Sequence, residues 1–242
     1  RPDCLSDRTG HWFCICQRNC PQHCFTTGGL QAKKISGCSF NDLLKMMITA
    51  IVLAAGIGRR MGQQKLLLPL GELTLIEHVV KQVMQGGVDG CIVVTGWDHD
   101  RIKPLIENLG ARTVVNPHAL EGGMLSSVRC GLAHANPAAT GYLVCLGDLP
   151  GISNVLIKRM LKKIQNDQPD ILSPVYESKR GHPLYFQAGF RDEVMERYDD
   201  VGLKGLLDAH TRLVTEFECS NEDILIDLDT PADYENWMKR QA

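Results

Sequence analysis

Between Ile48 and Lys65 an apolar run, Ile-Thr-Ala-Ile-Val-Leu-Ala-Ala, breaks into Gly56-Ile-Gly58-Arg59-Arg60-Met61-Gly62-Gln-Gln-Lys65. Small residues at Ala54, Ala55, Gly56 and Gly58 let backbone N–H groups approach a ligand closely. Arg59, Arg60 and Lys65 supply cationic donors suited to a polyphosphate. Two later segments end in carboxylates: Tyr142-Leu-Val-Cys-Leu-Gly147-Asp148-Leu-Pro150 and Ile224-Leu-Ile-Asp227-Leu-Asp229-Thr-Pro231. Hard oxygen ligands at such places suit Mg²⁺ carried on nucleotide phosphates. Each carboxylate also has a plainer reading, Asp148 as a turn or cap before Pro150 and Asp229 as an N-cap beside Thr230. Asp227 has less of one, because alternation sets it opposite Leu228.

Spacing narrows the type of nucleotide site. A P-loop places four residues between its glycines and then Gly-Lys-Ser/Thr, whereas five separate Gly56 from Gly62 and Leu66 follows Lys65. A dinucleotide fingerprint needs glycine where Met61 stands, and an acidic strand end where Glu77 lies in a helical pattern. A tight turn with no ligand is the plain alternative, and the cationic triplet weighs against it.

These residues need a scaffold that gathers them. Thr74 to Gln85 carries Leu75, Ile76, Val79, Val80 and Val83 at helical spacing and stops at Gly86-Gly87. Strands at Cys91–Thr95, Ala111–Val115 and Gly141–Leu146 alternate with helices at Asp98–Asn108, Met124–His134 and Ile152–Gln165. Shorter strands follow at Asp170–Pro174, Pro183–Phe186, Arg212–Phe217 and Ile224–Leu228, with helices at Phe190–Arg197, Leu203–Ala209 and after Pro231. This alternation predicts an α/β fold, a single-domain three-layer α/β/α sandwich with a mostly parallel sheet. Ligands in such folds lie beyond the carboxyl ends of the strands.

A formal net charge of −2 gives no electrostatic case for nucleic acid, so the expected partner is a small molecule. No apolar stretch is long enough to span a bilayer and no leader pattern precedes the domain, which predicts no membrane partner and a cytoplasmic protein. Cys4, Cys14, Cys16, Cys20, Cys24 and Cys38 crowd the beginning, with His11 and His23 among them. Their spacing does not form paired zinc knuckles. Residues 1–47 are therefore read as a cysteine-rich extension outside the fold, or as a partner-binding tail, and 48–242 as the functional domain. Cys91, Cys130, Cys145 and Cys219 sit in apolar or helical contexts, as small core residues do.

Four motifs in this order resemble the MobA-like NTP transferases that act on the molybdenum cofactor. They are Leu53-Ala-Ala-Gly56-x-x-x-Arg60-Met-Gly62-x-x-Lys65, Asn116-Pro117 leading to Gly122-Gly-Met-Leu-Ser-Ser127, Gly147-Asp-x-Pro150, and Asp227-x-Asp-Thr-Pro231. Arg180-Gly-His182-Pro183 is similar to the cytidylyltransferase branch and to accessory proteins of molybdenum hydroxylases.

The resemblance implies catalytic Arg60, Lys65 and Asp148. It implies a nucleotide site of Leu53, Ala54, Ala55, Gly56, Arg60, Lys65, Asn116 and Ser127, Mg²⁺ on Asp148 and Asp227, and acceptor contact by His182. Ala55, where the guanylyl branch carries glycine, resembles the CTP-using branch. The implied activity is transfer of CMP from CTP to the terminal phosphate of the molybdenum-pterin cofactor, with a molybdenum hydroxylase as possible recipient. Another phosphorylated acceptor, another nucleoside triphosphate, or a non-catalytic cofactor carrier are the alternatives. His182 reads equally as a structural turn histidine, and Asn116 as a group satisfying the turn before Pro117.

Overall fold

Strand β3 (Ile48–Ala54) is buried along almost its whole length, which a run of apolar residues permits only when both faces of a sheet are covered. In the computed structural model the described residues are 5–6, 12–13, 46–56 and 64–241. The chain divides into two units, Arg1–Leu43 and Leu44–Ala242. In the first, β1 (Leu5–Ser6) and β2 (Trp12–Phe13) pair antiparallel. The cysteines and histidines there lie outside the described residues.

In the second unit a short hairpin, β4 (Pro69–Leu70) and β5 (Leu73–Thr74), precedes helix α1 (Leu75–Gln85). The chain then alternates through β6 (Gly90–Thr95), α2 (His99–Glu107), β7 (Arg112–Val115), α3 (Gly123–His134), β8 (Gly141–Leu146) and α4 (Asn154–Asp167). After β9 (Ile171–Tyr176), β10 (Lys179–Arg180) and β11 (Leu184–Gln187) come α5 (Arg191–Glu196), α6 (Leu203–Ala209), β12 (Val214–Glu218) and α7 (Pro231–Gln241).

The sheet order is β10-β9-β11-β8-β3-β6-β7, with β12 beside β9. Strands β3, β6, β7 and β8 are mutually parallel, β12 is parallel to β9, and β11 runs against β8 and β9. Ala50, Val52 and Ala54 pack with α1, α2 and α4 on one face, while Ile51, Val94 and Val144 pack with α3, α5 and α6 on the other. The three-layer α/β sandwich is thus the observed fold.

Local signals start the elements as chemistry requires. Thr74 Oγ1 accepts the Glu77 N–H at 3.4 Å, and Glu77 Oε2 accepts the Thr74 N–H at 2.9 Å, a reciprocal cap at the start of α1. Thr230 and Asp233 repeat the arrangement before α7, with Pro231 at the first helical position.

One expected strand is corrected. Ile224–Leu228 does not join the sheet: Glu222–Leu225 is a 3-10 helix, and the chain then runs extended without a partner strand. The physical reason is local: Glu222–Leu225 closes a 3-10 turn, and the Leu228 N–H is spent on the Asp148 carbonyl rather than on a neighbouring strand. Ile224 and Leu228 are buried while Ile226 between them is only partly so, which departs from the burial of every second residue in a strand.

Among the described residues no helix is long and apolar enough to cross a membrane.

Candidate active site

From β3 the chain proceeds to β6 and β7 on one side and returns to β8 on the other, so the strand order reverses beside β3. A crevice opens at the carboxyl ends of strands where the order reverses. The Ala55-Gly56 turn leaves β3 there, and Gly147-Asp148 leaves β8 beside it. The two ends meet closely, as the Gly147 N–H donates to the Leu53 carbonyl at 2.9 Å. A Cβ on Gly147 would stand 2.8 Å from that carbonyl oxygen and 2.9 Å from Ile76 Cδ1, so only glycine fits.

The crevice is a cavity of about 430 Å³, and its walls include Leu53, Ala55, Gly56, Ser127, Asp148, Asp227 and Asp229. That size suits a small organic ligand. Met124, half exposed at the start of α3, adds an apolar wall with Leu146 and Ala119.

Lys65 sits in a 3-10 turn, Lys65–Leu67, and is 9% exposed. Its Nζ lies 2.6 Å from Asp148 Oδ2 and 2.6 Å from Asp229 Oδ1. Burial pulls the Lys65 pKa down, but the Asp148 and Asp229 carboxylates outweigh it, and the net direction is upward from 10.5. The lysine is a fixed cation. Asp227 has its pKa raised from 3.8 by burial first, then by the Asp229 carboxylate, with Asp148 adding to it. Among the described residues three carboxylates and the Lys65 ammonium meet at this crevice.

The segment carrying Asp227 and Asp229 is held by Leu228, which is fully buried and donates its N–H to the Asp148 carbonyl at 3.2 Å. In an extended stretch, anchoring Leu228 inward turns both its neighbours the other way.

Among the described residues no group of three or more His, Cys, Asp or Glu side chains stands close enough to hold an ion. Asp148 and Asp227 nevertheless share one cavity wall, and burial with the neighbouring carboxylates raises the Asp227 pKa. Such a pair fits a Mg²⁺ ion that takes one or two carboxylates and fills its remaining positions with phosphate oxygens and water. It does not fit an all-protein cage.

The structure brings together Leu53, Ala55, Gly56, Ser127, Asp148 and Asp227 on the cavity wall, with Lys65 bonded to Asp148. Ala54 faces the core at 2% exposure. Asn116, 4% exposed, is engaged internally: Nδ2 donates to Ser126 Oγ at 2.8 Å and Ser127 Oγ at 3.0 Å, and Oδ1 accepts the His118 N–H at 2.9 Å. His182 is not part of the wall; its Nδ1 lies 3.4 Å from the Val144 carbonyl, and its backbone N–H bonds the Ile224 carbonyl. Arg59 and Arg60 lie outside the described residues.

Asp229 is the charged residue that sequence reasoning set aside. The signal was available: Thr230-Pro-Ala-Asp233 is a capping box, so Thr230 does the capping and Asp229 need not.

Residues 50–214 match the MobA-like NTP transferase domain. The chain is similar to nicotine blue oxidoreductase of Paenarthrobacter nicotinovorans, 33% identical across 76% of this chain and 92% of that one. It is also similar to molybdenum cofactor cytidylyltransferase of Escherichia coli, 27% identical across 77% and 93%. Among solved structures, Rv0371c of Mycobacterium tuberculosis superposes with a TM-score of 0.71 at 28% identity, covering 80% of this chain and 98% of that one. A structure of Rv0371c in complex with manganese superposes with a TM-score of 0.68 at 26% identity, covering 80% and 99%. With that domain matched over most of the folded unit, the chain belongs to the MobA-like NTP transferase family and is a nucleotidyltransferase.

Proposed function

We propose that residues 48–242 transfer CMP from CTP to the terminal phosphate of the molybdenum-pterin cofactor and release pyrophosphate. The observation that carries this reading is the Lys65 ammonium, 2.6 Å from both Asp148 and Asp229, beside a cavity walled by a glycine turn. The similarity to a molybdenum cofactor cytidylyltransferase supports the acceptor, and Ala55 supports the cytidine nucleotide.

An acceptor phosphate oxygen attacks the α-phosphorus of CTP in line. The new P–O bond forms as the bond to the β-phosphate oxygen breaks, and pyrophosphate leaves with the electron pair. Lys65 supplies fixed positive charge to the phosphoryl oxygens, and Arg60 is assigned the same task. Asp148 and Asp227 are the residues that would hold Mg²⁺, which on binding neutralises charge on the phosphates. Leu53, Ala55, Gly56 and Ser127 position the nucleoside, so much of the catalytic gain comes from orientation. His182 is assigned to the acceptor side, because its backbone bonds Ile224 at the root of the segment bearing Asp227. A molybdenum hydroxylase is the expected recipient of the product.

The test is incubation of the protein with Mg²⁺, the molybdenum-pterin cofactor and each of the four nucleoside triphosphates. Formation of the cytidine dinucleotide with equimolar pyrophosphate supports the reading, and a different preferred nucleotide overturns the CTP assignment. The relative named nicotine blue oxidoreductase favours a second reading, in which this cavity serves an oxidation–reduction reaction. That reading requires turnover without pyrophosphate.

A further inference from the structure

Asn116 follows β7 and is locked by its own backbone, whose N–H donates to the Thr95 carbonyl at 2.8 Å. The orientation of its amide is not ambiguous. Oδ1 accepts a backbone N–H from His118, which can only donate, so the NH₂ end must face the two serines. Each amide hydrogen goes to one hydroxyl oxygen, Ser126 Oγ and Ser127 Oγ.

The two serines differ in what becomes of their own protons. Ser126 Oγ donates to the Gly123 carbonyl at 2.9 Å. Ser127 makes no other hydrogen bond than the one from Asn116 among the described residues, although it is 4% exposed and lines the cavity. A buried hydroxyl with an unspent proton is costly unless something accepts it.

We infer that Asn116 does not bind the nucleotide itself but sets the hydrogen-bond polarity of Ser127, making this hydroxyl a donor to an acceptor atom on the nucleoside. This rests on the nucleotide reading of the cavity. Because Asn116 occupies one lone pair of Ser127 Oγ, the O–H bond turns away from the amide and toward the cavity. Asn116 is thus a positioning residue that acts through Ser127, and the site favours a carbonyl, ring nitrogen or ribose oxygen at that place over an amino group.

Asn116→Asp tests the polarity directly. The carboxylate still accepts the His118 N–H but can only accept from the serines, so the Ser127 proton is drawn inward. Binding of CTP and the other three nucleoside triphosphates is titrated for wild type, N116D, Ser127→Ala and the double variant, with turnover and thermal midpoints beside them. Loss of a donor to a buried acceptor is expected to weaken nucleotide binding about tenfold in N116D and in S127A, with thermal midpoints little changed. In the S127A background N116D is expected to cost nothing further. Should N116D not fold, Asn116→Ala takes its place in the same cycle, with a weakening that S127A again abolishes.

An Asn116 effect that persists in full without the Ser127 hydroxyl overturns the inference while leaving the nucleotide reading intact. Wild-type protein that binds no nucleoside triphosphate overturns both.

Discussion

The Lys65 ammonium lies 2.6 Å from the Asp148 carboxylate, joining the turn after β3 to the turn after β8 across the crevice where the strand order reverses. Asp229 holds the same ammonium, also at 2.6 Å. One cation therefore ties together the side chains of two acidic segments that the Leu228 N–H and the Asp148 carbonyl already join through the backbone. The Lys65 and Asp148 side chains are largely buried, so the desolvation cost offsets much of their attraction, and the pair is better explained by what it does to a ligand than by stability.

Lys65→Met removes the cation while leaving an unbranched apolar stem in its place. Asp148 and Asp229 then lose the ammonium they share. Nucleotidyl transfer is expected to fall at least about 10²-fold, as for loss of a single transition-state donor. Steady-state kinetics with thermal unfolding beside them checks this; retained turnover contradicts the role of Lys65.

Gly147→Ala should damage both fold and function. The added methyl meets the Leu53 carbonyl oxygen at 2.8 Å, and backbone cannot step aside as a flexible side chain would. A destabilisation of about 1–3 kcal/mol is expected, with displacement of Asp148. Denaturant unfolding reads the first and nucleotide turnover the second.

Leu228→Ala separates support from chemistry. Leu228 is fully buried and does not line the cavity, reaching Asp148 only through its backbone N–H, whereas its two neighbours line it. Truncation is expected to cost about 2–5 kcal/mol and to lower turnover through loose placement of Asp227 and Asp229. Leu228→Ile, which keeps the volume, is expected to restore most of both.

Acid should destabilise the fold through two histidines. Burial lowers the pKa of His182 below 6.5, opposed by the Val144 carbonyl and Asp148. Burial likewise lowers that of His78, opposed by the Pro150 carbonyl. Each takes up a proton more readily unfolded than folded. Their contribution is complete above pH 6.5 and is lost as the pH falls from there toward the folded values. Denaturation midpoints across this window are expected to decline in wild type and to decline less in His78→Gln and His182→Asn.

Much of this was legible beforehand, for physical reasons particular to each element. Strand β3 reads as an apolar run because both its faces are covered, and α1 announces itself by Thr74, Glu77 and the spacing of Leu75 to Val83. The segment from Ile224 to Leu228 misled because β-branched and apolar residues look the same whether their backbone pairs with a strand or with a loop. Asp229 was obscured by a neighbouring threonine that does the capping. Asn116 was recognisable as a special residue, but its bond to Ser127 Oγ depends on how α3 packs beside β7, which no local pattern encodes.

The most direct test of nucleotidyl transfer at this crevice is pyrophosphate release with CTP, Mg²⁺ and the molybdenum-pterin cofactor, wild type against Asp148→Asn. Cofactor-dependent release by wild type, lost in a variant with an unchanged thermal midpoint, is the expected result. Equal release by both proteins, or none by a wild type that binds CTP, contradicts it.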